Sequence, residues 1–229
     1  MSYVFSPAEI PSVPVTGTEA RFPVRRIFCV GRNYAEHARE MGGDPDREPP
    51  FFFTKPADAV VESGAQIPFP KNTNDLHHEI ELVVAIGKEG EKIPVDRAYE
   101  HIFGYAVGID LTRRDLQKIA KEKGRPWDSG KAFDQSAPCA AITPKAAVEN
   151  IDRAKIQMTV NGEMRQSATI ADLIWSIEEV IAILSEAFTL KPGDLIYTGT
   201  PAGVGALSAG DHIIGQIEGL SPIEIKITA

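Results

Sequence analysis

Apolar residues recur along the chain mainly in runs of strand length, with few stretches of helical period. The clearest run is HHEIELVVAI, residues 77–86, in which Ile80, Leu82 and Val84 fill one phase of a two-residue repeat while Glu79, Glu81, Val83 and Ala85 fill the other. A strand apolar on both sides is covered on both sides, so this one is expected in the interior, with two carboxylates on its second face. Further strands are expected at Arg26–Val30, within Pro49–Val61, at Ile102–Ile109 and at Lys155–Val160 ahead of an Asn161-Gly162 turn. Another is expected at Pro222–Thr228, where Ile223, Ile225 and Ile227 alternate with Glu224, Lys226 and Thr228. One good amphipathic helix is predicted within Ala171–Leu190, carried by Ile174, Ile177, Val180, Ile181 and Leu184. Asn33 with Glu36 resembles a capping box for a short helix stopped at Gly42-Gly43, and Thr112 with Asp115 marks a second, polar helix through Lys123. Gly130–Pro144 is expected to be loop-rich. Strands dominate without βαβ alternation, which predicts a mainly β (α+β) fold: one domain over residues 23–229, preceded by a Pro-rich extended arm at 1–22.

Composition narrows the partners. A chain of 229 residues supports one substantial core, and a net charge of −8 with pI near 5.2 argues against a broad nucleic-acid footprint, which needs clustered Lys and Arg. A small anionic ligand at a local site stays compatible with that balance. The N-terminal residues lack a basic-then-apolar leader and no long apolar span occurs, so the expectation is a cytoplasmic protein without a membrane partner. Cys29 and Cys139, with no partner spacing, suit a reducing compartment as small apolar residues.

The glutamate pair carries the first chemistry. Two like charges in an interior repel and lose water at a cost of several kcal/mol each unless a cation or proton intervenes. A hard divalent cation with oxygen ligands fits, and Asp110, at the end of an apolar strand, is a natural third ligand. The competing reading is a solvated edge strand, with Asp110 a helix cap. His77 is in phase with the pair and would shift the preference toward a transition metal, although such a histidine is more often structural. His37 and Glu40 lie three apart on the first helix, an arrangement that can make a general base for water and is also common on surfaces. Lys131 sits in GRPWDSGKAFDQSAP between Trp127 and Phe133, where it is either a carboxylate or enolate ligand or a solvated loop lysine. YTGTPAGVG has neither GK[ST] nor GxGxxG spacing, but its N–H groups could receive a carboxylate.

Taken in order, GRNYAEHAREMG, HHEIELVVAIG, GYAVGIDLTRRDLQ, RPWDSGKAFDQSAP and TGTPAGVG resemble the fumarylacetoacetate hydrolase family from about Arg25 to the C-terminus. The resemblance implies mixed sheets rolled into a barrel-like core, and usually a homodimer. It implies one Mg²⁺ or Mn²⁺, with Ca²⁺ also possible, held by Glu79, Glu81 and Asp110. It places the family's catalytic His–Glu pair on His37 and Glu40 and its active-site lysine on Lys131. Arg114, Gln117 and Thr200 match positions that approach the substrate, whereas His77 and His78 match no usual ligand. The reaction implied is metal-dependent hydrolysis of a C–C bond in a small anionic 2,4-dioxo acid, fumarylpyruvate first. Oxaloacetate decarboxylation, isomerisation and dehydration share the same type of site. A non-catalytic β module binding structural Ca²⁺ is the alternative from another class.

Overall fold

The computed structural model describes residues 2–40 and 48–229, apart from the side chains of Ala38 and Glu40. An eight-stranded mixed sheet runs in the order Phe51–Lys55, Arg26–Gly31, Asp194–Tyr197, Ile80–Ile86, Ile102–Ile109, Ala137–Cys139 and Val60–Glu62, with Thr143–Pro144 also paired to Ile102–Ile109. Ile80–Ile86 is antiparallel to Ile102–Ile109 with Ile80 opposite Ile109, and Asp194–Tyr197 is parallel to Arg26–Gly31.

All seven residues of Ile80–Ile86 are buried, and the two-residue repeat sorts them between two cores. Ile80, Leu82, Val84 and Ile86 join the larger one, while Val83 and Ala85 pack with Cys29, Ala106, Leu195 and Tyr197 in the smaller. The larger core is closed by a five-stranded sheet in the order Glu163–Thr169, Lys155–Val160, His212–Ile217, Ile223–Thr228 and Ala65–Pro68. Its inward residues include Ile156, Met158, Ile213, Ile223 and Ile225. A three-stranded sheet joins Thr112–Arg113, Leu76–His78 and Gly205–Leu207. Within the expected arm, Ser12–Pro14 pairs with Arg21–Pro23, and Val13, Val15 and Phe22 cover the smaller core.

The α-helices among the described residues are few and short: α1 Ala35–Glu40, α2 Arg114–Glu122, α3 Asp128–Lys131 and α4 Ile177–Ala187. None among the described residues is long and apolar enough to cross a membrane. The Gly42-Gly43 stop lies outside the described residues.

Several elements differ from the expected bounds for local reasons. Residues 77–86 are not one strand: Leu76–His78 and Ile80–Ile86 belong to different sheets, and Glu79 stands at the break. Pro49–Val61 divides at Pro56, which lacks an N–H and leads a single turn Ala57–Ala59; its halves then occupy opposite edges of the main sheet. Helix α4 begins at Ile177 because Ser176 and Glu179 form a reciprocal capping box, the Glu179 N–H donating to Ser176 Oγ at 3.3 Å and the Ser176 N–H to Glu179 Oε2 at 3.0 Å. Residues 130–144, expected to be loop-rich, hold the end of α3 and two short strands joined by irregular chain. The Asn161-Gly162 turn is as expected, with both residues at positive φ, 53° and 82°.

Candidate active site

Three carboxylates meet where the small sheet leaves the large one. The Glu79 carbonyl accepts from the Asp110 N–H at 2.8 Å, continuing the ladder in which Ile80 faces Ile109 and Glu81 faces Gly108. This register puts Glu79, Glu81 and Asp110 on one face, with solvent exposures of 4%, 2% and 0%. An oxygen from each lies within 4.8 Å of the others, a hard-oxygen set that could hold a metal ion.

Three fixed cations stand against them. Lys131 Nζ donates to Glu79 Oε2 at 2.7 Å, Asp110 Oδ2 at 2.6 Å and Thr112 Oγ1 at 2.6 Å. Arg114 pairs with Glu79 Oε1 and donates to Gln117 Oε1 at 2.6 Å. Lys55 Nζ lies 2.8 Å from Asp110 Oδ1 and donates to the carbonyls of Leu111, at 3.0 Å, and Lys131. Lys131 can reach the cluster because α3 lies against α2 at Gly130, where a Cβ would fall 2.9 Å from the Gln117 backbone nitrogen.

These surroundings set the protonation states. Burial alone would lower the Lys131 ammonium, but Asp110 and Glu79 outweigh it and hold its pKa above the ordinary value, so it acts as a cation and not as a base. Burial would raise Glu79, yet Lys131 and Arg114 hold it well below the usual carboxylate range. Glu81 goes the other way: burial, then Asp110 and Glu79, push its carboxyl well above the ordinary value despite Lys131 and the Gly199 N–H, which donates to Oε2 at 2.8 Å. Asp110 Oδ1, although close to Lys55, has no aligned hydrogen bond. Without metal Glu81 therefore keeps its proton beside Asp110 and Glu79, and the donor set fits a divalent cation that would take that proton's place.

His37 projects from α1 into the same recess, 6% exposed and close enough to act on the charge of Glu79. The chain ahead of α1 is anchored by Asn33, whose Nδ2 donates to the carbonyls of Trp175 at 3.0 Å and Thr198 at 2.8 Å and whose Oδ1 accepts from the Trp175 N–H at 2.8 Å. That side chain was expected to cap the helix; its hydrogen bonds instead tie the helix to the Thr198–Thr200 segment.

The recess, about 490 Å³ including its open mouth, is lined by His37, Glu79, Glu81, Asp110, Arg114, Gln117, Lys131 and Thr200, with Arg32, Phe53, Lys121 and Trp127 beside them. Eight of the nine residues singled out from sequence therefore share one cavity. The ninth, Glu40, has its side chain outside the described residues. His77 does not line the recess: its Nε2 lies 2.9 Å from Asp75 Oδ1, and its Nδ1 accepts from Arg114 Nε at 3.4 Å.

Two buried residues carry no local sequence signal of their role. Lys55 ends an apolar strand and reads as a solvated terminus. Gln166 is 1% exposed; its Nε2 donates to Thr200 Oγ1 at 2.8 Å and the Pro201 carbonyl at 2.7 Å, while its Oε1 accepts from the Ile80 N–H at 3.1 Å. A cation-binding carboxylate cluster, fixed positive charges and an imidazole in one recess can bind a chelating anion, activate water and stabilise an enolate.

The family model for the fumarylacetoacetate (FAA) hydrolase C-terminal region matches residues 26–228. A fumarylpyruvate hydrolase of Ralstonia sp. is 48% identical over 189 residues, covering 82% of this chain and 98% of that protein. A mitochondrial oxaloacetate tautomerase of Homo sapiens is 41% identical over 203 residues, covering 89% and 91%. The crystal structure of fumarylpyruvate hydrolase from Pseudomonas aeruginosa in complex with Mn²⁺ and pyruvate superposes with a TM-score of 0.97 at 51% identity, covering 99% of each chain.

Proposed function

The chain belongs to the fumarylacetoacetate hydrolase family, and from that premise we propose that it hydrolyses the C–C bond of a 2,4-dioxo acid, converting fumarylpyruvate to fumarate and pyruvate. The observation that carries this reading is the pairing of three buried carboxylates with Lys55, Lys131 and Arg114, beside His37. Once a cation has displaced the Glu81 proton, the three carboxylates match these three cations one for one, so a divalent ion leaves a surplus of two positive charges among them. That surplus complements a dianionic substrate.

Glu79, Glu81 and Asp110 would hold one Mg²⁺ or Mn²⁺, which supplies Lewis-acid polarisation of the 2-oxo acid and charge for the departing enolate. An imidazole nitrogen of His37, oriented by Glu40, takes a proton from water as its oxygen bonds to the C4 carbonyl carbon. The C3–C4 bond then breaks, and its electron pair passes to the pyruvate fragment as an enolate. Lys131 and Arg114 hold the negative charge that develops there. The proton on His37 returns to C3, so water is divided between the new carboxyl group of fumarate and the methyl group of pyruvate. Gln117 and Thr200 orient the substrate carboxylate. Residues 23–229 form the catalytic domain behind the arm at 1–22, acting as a homodimer in the cytoplasm.

The human relative supports a second reading, tautomerisation of oxaloacetate, since the same cations stabilise an enolate without C–C cleavage. Metal-stripped protein given fumarylpyruvate, acetylpyruvate or oxaloacetate, with and without Mg²⁺ or Mn²⁺, separates them. Metal-dependent pyruvate release, fastest from fumarylpyruvate, is expected. Rapid loss of the oxaloacetate enol absorbance, with no pyruvate released from either acylpyruvate, would replace hydrolysis by tautomerisation. His37→Ala is expected to lower hydrolysis by roughly 10²- to 10⁴-fold, and near-normal turnover would remove its role as base.

A further inference from the structure

A second recess opens from the first. Arg32, Phe53, Trp127 and Lys131 line both, and Phe51, Thr54 and Pro126 carry the wall onward around a space of about 1100 Å³ including its mouth. Its faces are aromatic: Phe51 meets Trp127 edge-on at 5.1 Å between centroids, and Phe53 meets the same indole at 5.7 Å. Phe51 can lie there because residue 31 is glycine, where a Cβ would fall 2.0 Å from the ring. The next residue, Arg32, takes a left-handed conformation with φ 58°, uncommon outside glycine, and its guanidinium stands 6.0 Å from the Phe51 ring centroid. Lys131, the other cation of this lining, is engaged by Glu79 and Asp110. Asp128 is the acid among the described lining residues, so the annex is not a general anion trap. Among the described residues it offers one guanidinium beside flat apolar faces.

We propose that this annex receives the acyl arm of the substrate and that Arg32 pairs with a carboxylate at the arm's far end, selecting 2,4-dioxo acids whose acyl group is a flat chain ending in a carboxylate. The inference rests on the hydrolase reading and adds to it a specificity residue outside the metal and proton-transfer groups. The aromatic walls accept an unsaturated chain, and the guanidinium beside Phe51 replaces the water that a terminal carboxylate would lose. An acyl arm without that carboxylate gains only the apolar contact.

The test compares wild type with Arg32→Met in two ways. The first is kcat/KM for fumarylpyruvate and for acetylpyruvate, which lacks the distal carboxylate. The second is calorimetric binding of fumarate and of crotonate, its monocarboxylate counterpart, to Mn²⁺-loaded protein. Loss of a charge-assisted hydrogen bond predicts a fall of roughly 10- to 100-fold for fumarylpyruvate, expressed mainly in KM, with a loss at least about tenfold smaller for acetylpyruvate. Fumarate affinity should fall by a similar factor and crotonate affinity far less, with partial recovery in Arg32→Lys. Equal losses for both acylpyruvates, or none for either, overturn the proposal. If wild type cleaves neither acylpyruvate, the hydrolase reading fails by itself, and the fumarate arm still decides the annex: unchanged fumarate affinity in Arg32→Met overturns it. Should Arg32→Met not fold, Phe51→Leu tests the facing wall with the same substrates, and the same selective loss is expected.

Discussion

Lys55 and Asp110 form an ion pair of 2.8 Å in which the side chains are 0% and 1% exposed. Neither charge has water to fall back on. Replacing Lys55 by Met leaves Asp110 facing Glu81 with one partner fewer, and breaking a buried pair from one side costs about 3–5 kcal/mol. Urea unfolding of metal-free Lys55→Met should show a loss of that order, reduced by added Mn²⁺. A loss below about 1 kcal/mol would mean that the pair is not needed.

Lys131 and a bound cation claim the same oxygens, since Nζ already touches Glu79 Oε2 and Asp110 Oδ2. Lys131→Met should therefore keep or tighten Mn²⁺ binding while turnover falls by roughly 10²-fold or more, the scale of a lost electrostatic stabiliser. Free Mn²⁺ followed by electron paramagnetic resonance reads the first part and pyruvate release the second. Markedly weaker Mn²⁺ binding would assign Lys131 to holding the ligands in place instead.

The raised Glu81 carboxyl gives metal binding a pH dependence with a definite sign. Without metal the folded protein holds this proton well above the ordinary value of 4.5, and a cation must displace it. Apparent Mn²⁺ affinity should fall as pH is lowered through the raised value, by up to about tenfold per pH unit. The same linkage makes the contribution of Glu81 to metal-free stability greatest below 4.5 and smaller as pH rises through the raised value. Affinity measured at several pH values should slope in this direction, and a Glu81→Gln variant should lose the slope. A flat profile in wild type would show that Glu81 is ionised before metal arrives.

Gln166 joins the Thr200 segment to the start of the central strand through hydrogen bonds to Thr200, Pro201 and Ile80. Gln166→Leu keeps the approximate size but leaves these buried groups unpaired, at roughly 1–3 kcal/mol for each left without a substitute. We expect a lowered melting midpoint and a KM that rises more than kcat falls. Unaltered kinetics in a destabilised variant would confine Gln166 to the fold.

The central strand was legible because its two faces are both apolar, and the period-two pattern assigned Ile80, Leu82 and Val84 to one side and Glu81, Val83 and Ala85 to the other. Asp110 could be placed beside the glutamates because one apolar strand ends where another begins. What stayed hidden depended on contacts across long sequence distances. Lys55 answers a carboxylate 55 positions away, a partner that no local pattern around FFFTK announces. Gln166 lies in EMRQSAT, which reads as exposed because its buried partners, Thr200 and Pro201, lie more than thirty positions further on. The break at Glu79 was missed for another reason: a pattern of alternation says which way side chains point and is silent about a strand changing sheets.

That break has a mechanical consequence. Glu79 belongs to the hinge line between the small sheet and the large one, whereas Glu81 and Asp110 are rooted in the large sheet and its margin. A cation gripped by all three works as a rivet driven through two plates. Amide exchange at Leu76–His78 and Thr112–Arg113 should slow when Mn²⁺ is added, and exchange within Ile80–Ile86, already sealed between two cores, should hardly change. The small sheet also carries Gly205–Leu207, which starts at the last residue of the TGTPAGVG stretch. Seating the metal therefore tightens the wall of the recess against which the substrate will press.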